Sequence, residues 1–233
     1  KGEIYQYVGD EIVISWKTDL GIKNASCIHC FFEIQRTLRQ KAPYYKEKYG
    51  RDVLFIPNGV DTEVEPDYVQ AQEILDSNQV QGNYLFFAAR RIMGTKGCHT
   101  MLEALNIINY QEAIVIAGDT EQLPAYTKHV QGLAKERDAH FVGYVNSKEK
   151  LLAMVEKAEY FIFPSETEGM SIMLLEVASV GTPVICSDIP ENTAVFNEDE
   201  VLYFRNRDAN DLAEKILWAK ANPEARSEEH TSE

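Results

Sequence analysis

From Tyr84 onward the chain alternates short, nearly continuous apolar runs with longer stretches in which apolar residues recur every three or four positions. The runs YLFFAA, AIVIAG, HFVGYV, EYFIFPS, PVICS and VLYF read as strands, most of them apolar enough to be covered on both faces. Between them, residues 97–109 carry Met101, Leu105 and Ile108 on one helical face. Further helical patterns cover residues 123–137, 148–157, 172–180 and 212–219, the last with a cap near Asp208. Gly181-Thr182-Pro183 stops the fourth of these helices, since glycine leaves the helical region without penalty and proline cannot continue it. Strands alternating with helices in this way predict an α/β fold, a doubly wound parallel sheet of Rossmann-like type.

The beginning of the chain has a different pattern. CIHCFF predicts a strand, residues 33–49 a helix with a basic, tyrosine-rich end, and DVLFIP a second strand closing in the turn Asn58-Gly59. Residues 1–60 are too few for a complete α/β domain, so they are expected to be the end of a truncated preceding one. An acidic connector follows over residues 61–83, with one helix near 68–76, and the main domain spans 84–225. The tail RSEEHTSE, residues 226–233, is polar and aperiodic and matches what a common sequencing-library adapter would encode; it is expected to be non-native.

Composition narrows the partners. A net charge of −14 over 233 residues argues against nucleic acid and against an anionic membrane surface. Nothing approaches the roughly 18 consecutive apolar residues of a membrane span, and KGEIYQYVGD has no signal pattern, so a cytoplasmic protein is expected. The four cysteines are too sparse for a disulfide scaffold. Cys27-Ile28-His29-Cys30 has no second pair downstream to complete a zinc site, and no paired-aspartate loop is present, so no metal is expected.

Open parallel sheets bind ligands beyond the carboxyl ends of their strands, which directs attention to two loops. ARRIMGTKG places Arg90, Arg91 and Lys96 in one turn with Gly94 and Gly97, a local gathering of cations that suits phosphate in an acidic chain. A solvated basic loop would explain the same residues. After EYFIFPS, a helix opening near Ser171 presents free amides, with Glu168 just before it and Glu176 roughly 7.5 Å along its axis. Two carboxylates flanking an amide nest suit a pyrophosphate at the centre and hydroxyl-bearing rings on either side. On packing grounds alone, Glu168 would be a first-turn acid favoured by the helix dipole and Glu176 would face solvent.

The order Arg91-x4-Lys96-Gly97, Phe141-x-Gly143, Glu168-Gly169-x6-Glu176 and Gly181-x-Pro183-Val184 resembles the nucleotide-binding domain of family 4 retaining glycosyltransferases, and Ile56-Pro57-Asn58-Gly59-Val60-Asp61 resembles their interdomain segment. The resemblance implies the GT-B fold, of which this chain would hold the C-terminal domain and a remnant of the N-terminal one. It implies that Arg91 and Lys96 neutralise the donor diphosphate and that Glu168 contacts the transferred sugar. Gly169, Met170, Ser171 and Ile172 would hold hydroxyls and phosphate, Glu176 the ribose, and Val142, Gly143 and Tyr144 the base. Three positions depart from the pattern: Ala89 or Arg90 stands for the usual glycine, Met170 for an aromatic residue, and Ser187-Asp188 for Gly-Gly.

The function so implied is transfer of a hexose from a nucleotide diphosphate sugar to a glycan, lipid or small-molecule acceptor, with retention and without metal or other cofactor. A fragment carrying the donor site alone is expected to be inactive, and peripheral membrane contact through the missing domain is left open. A non-catalytic nucleotide-sugar-binding module and a sugar-nucleotide epimerase of the same fold are the alternatives. YLFFAARRIMG lacks the G-x-G-x-x-G of a dinucleotide-dependent oxidoreductase. His29, His99 and His140 are expected to be structural.

Overall fold

The computed structural model describes residues 3–8, 11–15, 36, 43–44, 46–48, 60–169 and 172–223. The chain divides into two compact units, Lys1–Ile56 and Pro57–Glu233. In the first, strands β1 (Glu3–Val8) and β2 (Glu11–Ser15) pair antiparallel, a hairpin not anticipated from the sequence. The described residues of the predicted helix over 33–49 are helical. CIHCFF, DVLFIP, the Asn58-Gly59 turn, the Cys27/Cys30 pair, His29 and the tail lie outside the described residues.

The second unit is built on a six-stranded parallel sheet. Its strands are β3 (Tyr84–Arg91), β4 (Ala113–Asp119), β5 (Ala139–Gly143), β6 (Tyr160–Phe163), β7 (Val184–Ser187) and β8 (Leu202–Phe204), in the order β5-β4-β3-β6-β7-β8. That is the doubly wound order, in which the chain starts mid-sheet, winds to one edge and then returns to wind to the other.

Side-chain alternation explains why both faces are covered. Leu85 and Phe87 of β3 point to one face, where they meet α2 (Cys98–Ile107), α3 (Pro124–Ala134) and α7 (Ala209–Ala221) through Met101, Leu105, Val130, Leu212 and Ile216. Tyr84, Phe86 and Ala88 point to the other, against α1 (Tyr68–Ser77), α4 (Lys148–Glu156) and α5 (Ile172–Ser179) through Leu75, Met154, Leu174 and Val177. Truncating Phe86 or Phe161, both fully buried, would cost about 3–5 kcal/mol each.

Tyrosine hydroxyls inside the core are satisfied. The Tyr84 hydroxyl donates to Met154 O at 2.6 Å and the Tyr160 hydroxyl to Ala219 O at 2.9 Å, fastening a helix to each face. Local signals set the helix starts: the Asp67 carboxylate caps α1, Ser147 caps α4, and Asp208 caps α7 through the amides of Asn210 and Asp211. A short helix α6 (Pro190–Thr193) and a 3₁₀ turn (Gly94–Lys96) complete the unit. Among the described residues no helix is long and apolar enough to cross a membrane.

Strands β3 and β6 stay in register only at Leu85↔Tyr160 and Phe86↔Phe161, then part towards their carboxyl ends. They lie at the point where the winding reverses, so their divergence opens a crevice there. The fold thus presents its ligand-binding edge at the loops after β3 and β6.

Candidate functional site

A cavity of about 500 Å³ occupies this crevice, a volume suited to a small-molecule ligand. Its floor is Ala88 and Ala89 at the end of β3, Ala117 and Gly118 at the end of β4, and Phe163 of β6. The small floor residues let a ligand approach the sheet. Gly118 is required for a different reason: at φ +154° an added Cβ would stand 2.4 Å from the carbonyl oxygen of Ala89.

One wall is made by the loops after β3 and β6, which are joined backbone to backbone. The Glu166 amide donates to Thr95 O at 2.8 Å, and Gly97, at φ +69°, lies so close to Pro164 that an added Cβ would fall 1.8 Å from its carbonyl oxygen. This contact delivers Lys96 to Glu168, with Nζ 2.6 Å from Oε1. The Glu168 side chain is 11% exposed, which sets it apart from an ordinary surface acid. The same loop is tied from behind: the Ser187 hydroxyl donates to Ser165 O at 2.5 Å, Asn206 Nδ2 donates to Glu166 O, and the Glu166 carboxylate meets Arg207 at 2.7 Å. Ser187, one of the departures from the family pattern, therefore has a structural task.

The facing wall is the loop between β5 and α4. Gly143, at φ +75°, turns the chain out of the strand, and Tyr144, Val145, Asn146, Ser147, Lys148 and Leu151 follow along the cavity. Lys148 Nζ lies 3.0 Å from Glu176 Oε1, on the helix across the cleft. Glu176 does not face solvent, since its side chain is only 15% exposed. The start of α5, with Ile172 and Met173, closes the space between the two glutamates. A helix start carries unpaired amides and the positive end of the dipole.

Of the residues singled out in the sequence, Lys96, Glu168, Ile172, Glu176 and Tyr144 line one cavity. Met170 and Ser171 lie outside the described residues. Gly169 is exposed beside Glu168 and, like Val142 and Gly143, is not part of the lining; Val142 is instead packed against the core. Arg91 is exposed and also stands outside the lining, whereas Arg90, which the sequence left without a role, is in it. Lys148 was missed altogether. Its only signal in the sequence was a cation at the first position of a helix, where the dipole disfavours one.

The lining charges are Arg90, Lys96 and Lys148 against Glu168 and Glu176, a local positive excess in a chain of net charge −14. Such a site can draw a diphosphate to its centre and accept hydrogen bonds from hydroxyls at either end. Among the described residues no thiolate is at hand: burial pushes the Cys98 thiol up to about 12 and raises Cys186 as well. Among the described residues no group of His, Cys, Asp and Glu could hold a metal ion. His99 contacts the Tyr126 hydroxyl at 2.9 Å and faces Glu166, and His140 sits between Asn78 O and Asp138. Neither lines the cavity.

The sheet order and the cation-and-carboxylate cavity at the winding reversal define a doubly wound, Rossmann-like α/β domain with a ligand-sized crevice at its topological switch point. Residues 70–230 match the family model for glycosyl transferases group 1, and the chain belongs to that family. It is 31% identical over 178 residues to the phosphatidyl-myo-inositol mannosyltransferase of Mycobacterium tuberculosis H37Rv, a match covering 73% of this chain and 44% of that protein. The chain thus spans less than half the length of the curated relative.

Solved structures show the same fold. The C-terminal domain of the group 1 family protein LpcC of Francisella tularensis superposes with a TM-score of 0.61 at 19% identity, covering 74% of this chain and 93% of that one. HepE of Anabaena, crystallised with UDP and glucose, superposes with a TM-score of 0.62 at 16% identity over 73% and 48% of the two chains. The fold is that of the C-terminal half of GT-B glycosyltransferases.

Proposed function

We propose that this cavity binds a nucleotide diphosphate sugar and that the chain supplies the donor half of a retaining, metal-independent hexosyltransferase. The observation that carries the reading is the arrangement of three cations, from the end of β3 and the segments that follow β3 and β5, around a helix start bracketed by two half-buried carboxylates. The diphosphate lies over the start of α5 between Arg90 and Lys96. The sugar hydroxyls meet Glu168, and the ribose meets Glu176, with Tyr144 at the base. The UDP and glucose bound by HepE and the mannosyl transfer named for the mycobacterial relative support the same ligand class.

The chemistry follows from the charges. As the bond between the anomeric carbon and the diphosphate oxygen breaks, the electron pair passes to the diphosphate, where Arg90, Lys96 and the helix amides stabilise the developing charge. The acceptor hydroxyl attacks the same face of the oxocarbenium-like centre, and its proton goes to the departing diphosphate oxygen, which gives retention. Glu176 is held at the nucleoside end by Lys148, so the two carboxylates do not act as the flanking pair of a retaining hydrolase. Cations take the part of a metal in this scheme. The acceptor, a glycan, lipid or small molecule, approaches from outside this unit.

Calorimetric titration with UDP, GDP and ADP tests the site. One nucleotide binds, and Glu176→Ala and Lys96→Ala each weaken it by about 1–3 kcal/mol, the worth of a charge-assisted hydrogen bond. The 233-residue chain forms no glycoside from the matching donor, whereas a protein of the full length of its relatives does. Saturable binding with neither transfer nor donor hydrolysis by the longer protein would favour a non-catalytic binding module.

A further inference from the structure

Glu176 needs a partner to be useful. A carboxylate on a long side chain samples several rotamers, and a ribose diol is recognised only if one oxygen is held in place. The structure shows how it is held: Lys148, at the first position of α4, reaches across the cleft and places Nζ 3.0 Å from Glu176 Oε1. Oε2 has no protein partner among the described residues. Both side chains line the cavity, with exposures of 31% for Lys148 and 15% for Glu176.

Stability does not account for the lysine. A partly exposed ion pair contributes little to folding, and a cation in the first turn opposes the helix dipole. Ser147 already caps α4 by accepting from the Lys150 amide, so the helix start does not depend on the Lys148 side chain.

We infer that Lys148 is a positioning residue for the nucleoside end of the donor: its ammonium fixes one oxygen of Glu176 and turns the other towards the ribose hydroxyls. This rests on the donor-site reading above. It deepens that reading by making ribose recognition the joint work of two elements, α4 and α5, on opposite sides of the base. The Lys96–Glu168 pair repeats the same device at the other end, where one oxygen of Glu168 is held by a lysine from a different strand end.

The test is a cycle between protein and ligand. Whichever nucleoside diphosphate the 233-residue chain binds is titrated together with its 2′,3′-dideoxy counterpart into wild type, Lys148→Met, Lys148→Gln, Lys148→Arg and Glu176→Gln, and melting temperatures are recorded for each. Wild type is expected to lose about tenfold in affinity when the two hydroxyls are removed, as for a charge-assisted hydrogen bond. Lys148→Met and Lys148→Gln should weaken the ribose-bearing ligand about tenfold while discriminating the two ligands by less than about threefold, and Lys148→Arg should restore discrimination. If Lys148→Met and Lys148→Gln lower affinity for both ligands equally, the lysine contacts phosphate or base and the positioning role is overturned. If Glu176→Gln abolishes discrimination while the neutral Lys148 variants keep it, the donor site stands and the role of Lys148 falls. A folded wild type that binds no nucleoside diphosphate overturns both.

Discussion

Arg90 and Arg91 are neighbours in sequence and end in different places. The ladder between β3 and β4 shifts register between Ala88 and Arg91, and beyond the shift Arg91 pairs with Asp119 while Arg90 lines the cavity. Arg90→Ala should therefore weaken nucleoside diphosphate binding by about 1.5–3 kcal/mol, and Arg91→Ala should change it by less than about 0.5 kcal/mol, both read by calorimetry. The sequence made the cluster of cations legible, because three of them in a short loop of an acidic chain stand out. The resemblance chose Arg91 of the two adjacent arginines; which of them lines the cavity depends on an irregularity in strand pairing that no local pattern carries. Glu176 was legible for the same reason as the cluster, as an acid in an apolar run. Lys148 was not, because its meaning comes from a residue on another helix across the cleft.

Among the elements, the start of α2 is the most constrained. Gly97 has both a left-handed backbone and a carbonyl oxygen where its Cβ would stand, so Gly97→Ala should lower stability by about 2–4 kcal/mol in urea unfolding. Gly94→Ala is the control: no atom lies within 4 Å of its ideal Cβ, and it should cost under about 1 kcal/mol.

At the far end of the sheet, Lys220 of α7 binds Glu112 just before β4, and that hydrogen bond holds the Glu112 carboxyl below its ordinary value of 4.5. A depressed folded-state pKa stabilises at neutral pH and loses its effect as pH falls through that depressed value. The difference in thermal stability between wild type and Glu112→Gln should be under about 1 kcal/mol at pH 7, begin to shrink as pH falls past 4.5, and vanish only once pH is below the depressed folded-state value. The strands and long helices were legible because their apolar runs and caps are local. The 3₁₀ turn and α6 were not: each is a few residues long and shaped by contacts with the rest of the unit, such as buried Asn192 donating to Ser187 O.

For the molecule as a whole, charge is distributed against its average. A chain of net charge −14 carries a cleft whose lining is net positive, so a diphosphate is expected to meet repulsion at long range and attraction at short range. Raising ionic strength from about 0.05 M to 0.15 M shortens screening to about 8 Å, which suppresses the distant repulsion before the contacts inside the cleft. Affinity should change by less than about threefold over this range, with the association rate rising, in stopped-flow binding.

The backbone zipper between the β3 and β6 loops has a consequence for how such a protein can diverge. On that side a new side chain meets main chain, at Gly97 against Pro164, and the fold itself vetoes the change. On the opposite side Tyr144 and Asn146 stand exposed at the rim and their replacement disturbs no backbone contact. Libraries randomised at 144 and 146 should keep most members folded while redistributing base preference, and libraries at 95–97 should lose most members before any ligand is offered. Descendants of this chain inherit the grip on diphosphate as a fixed trait and the choice of nucleoside as a variable one.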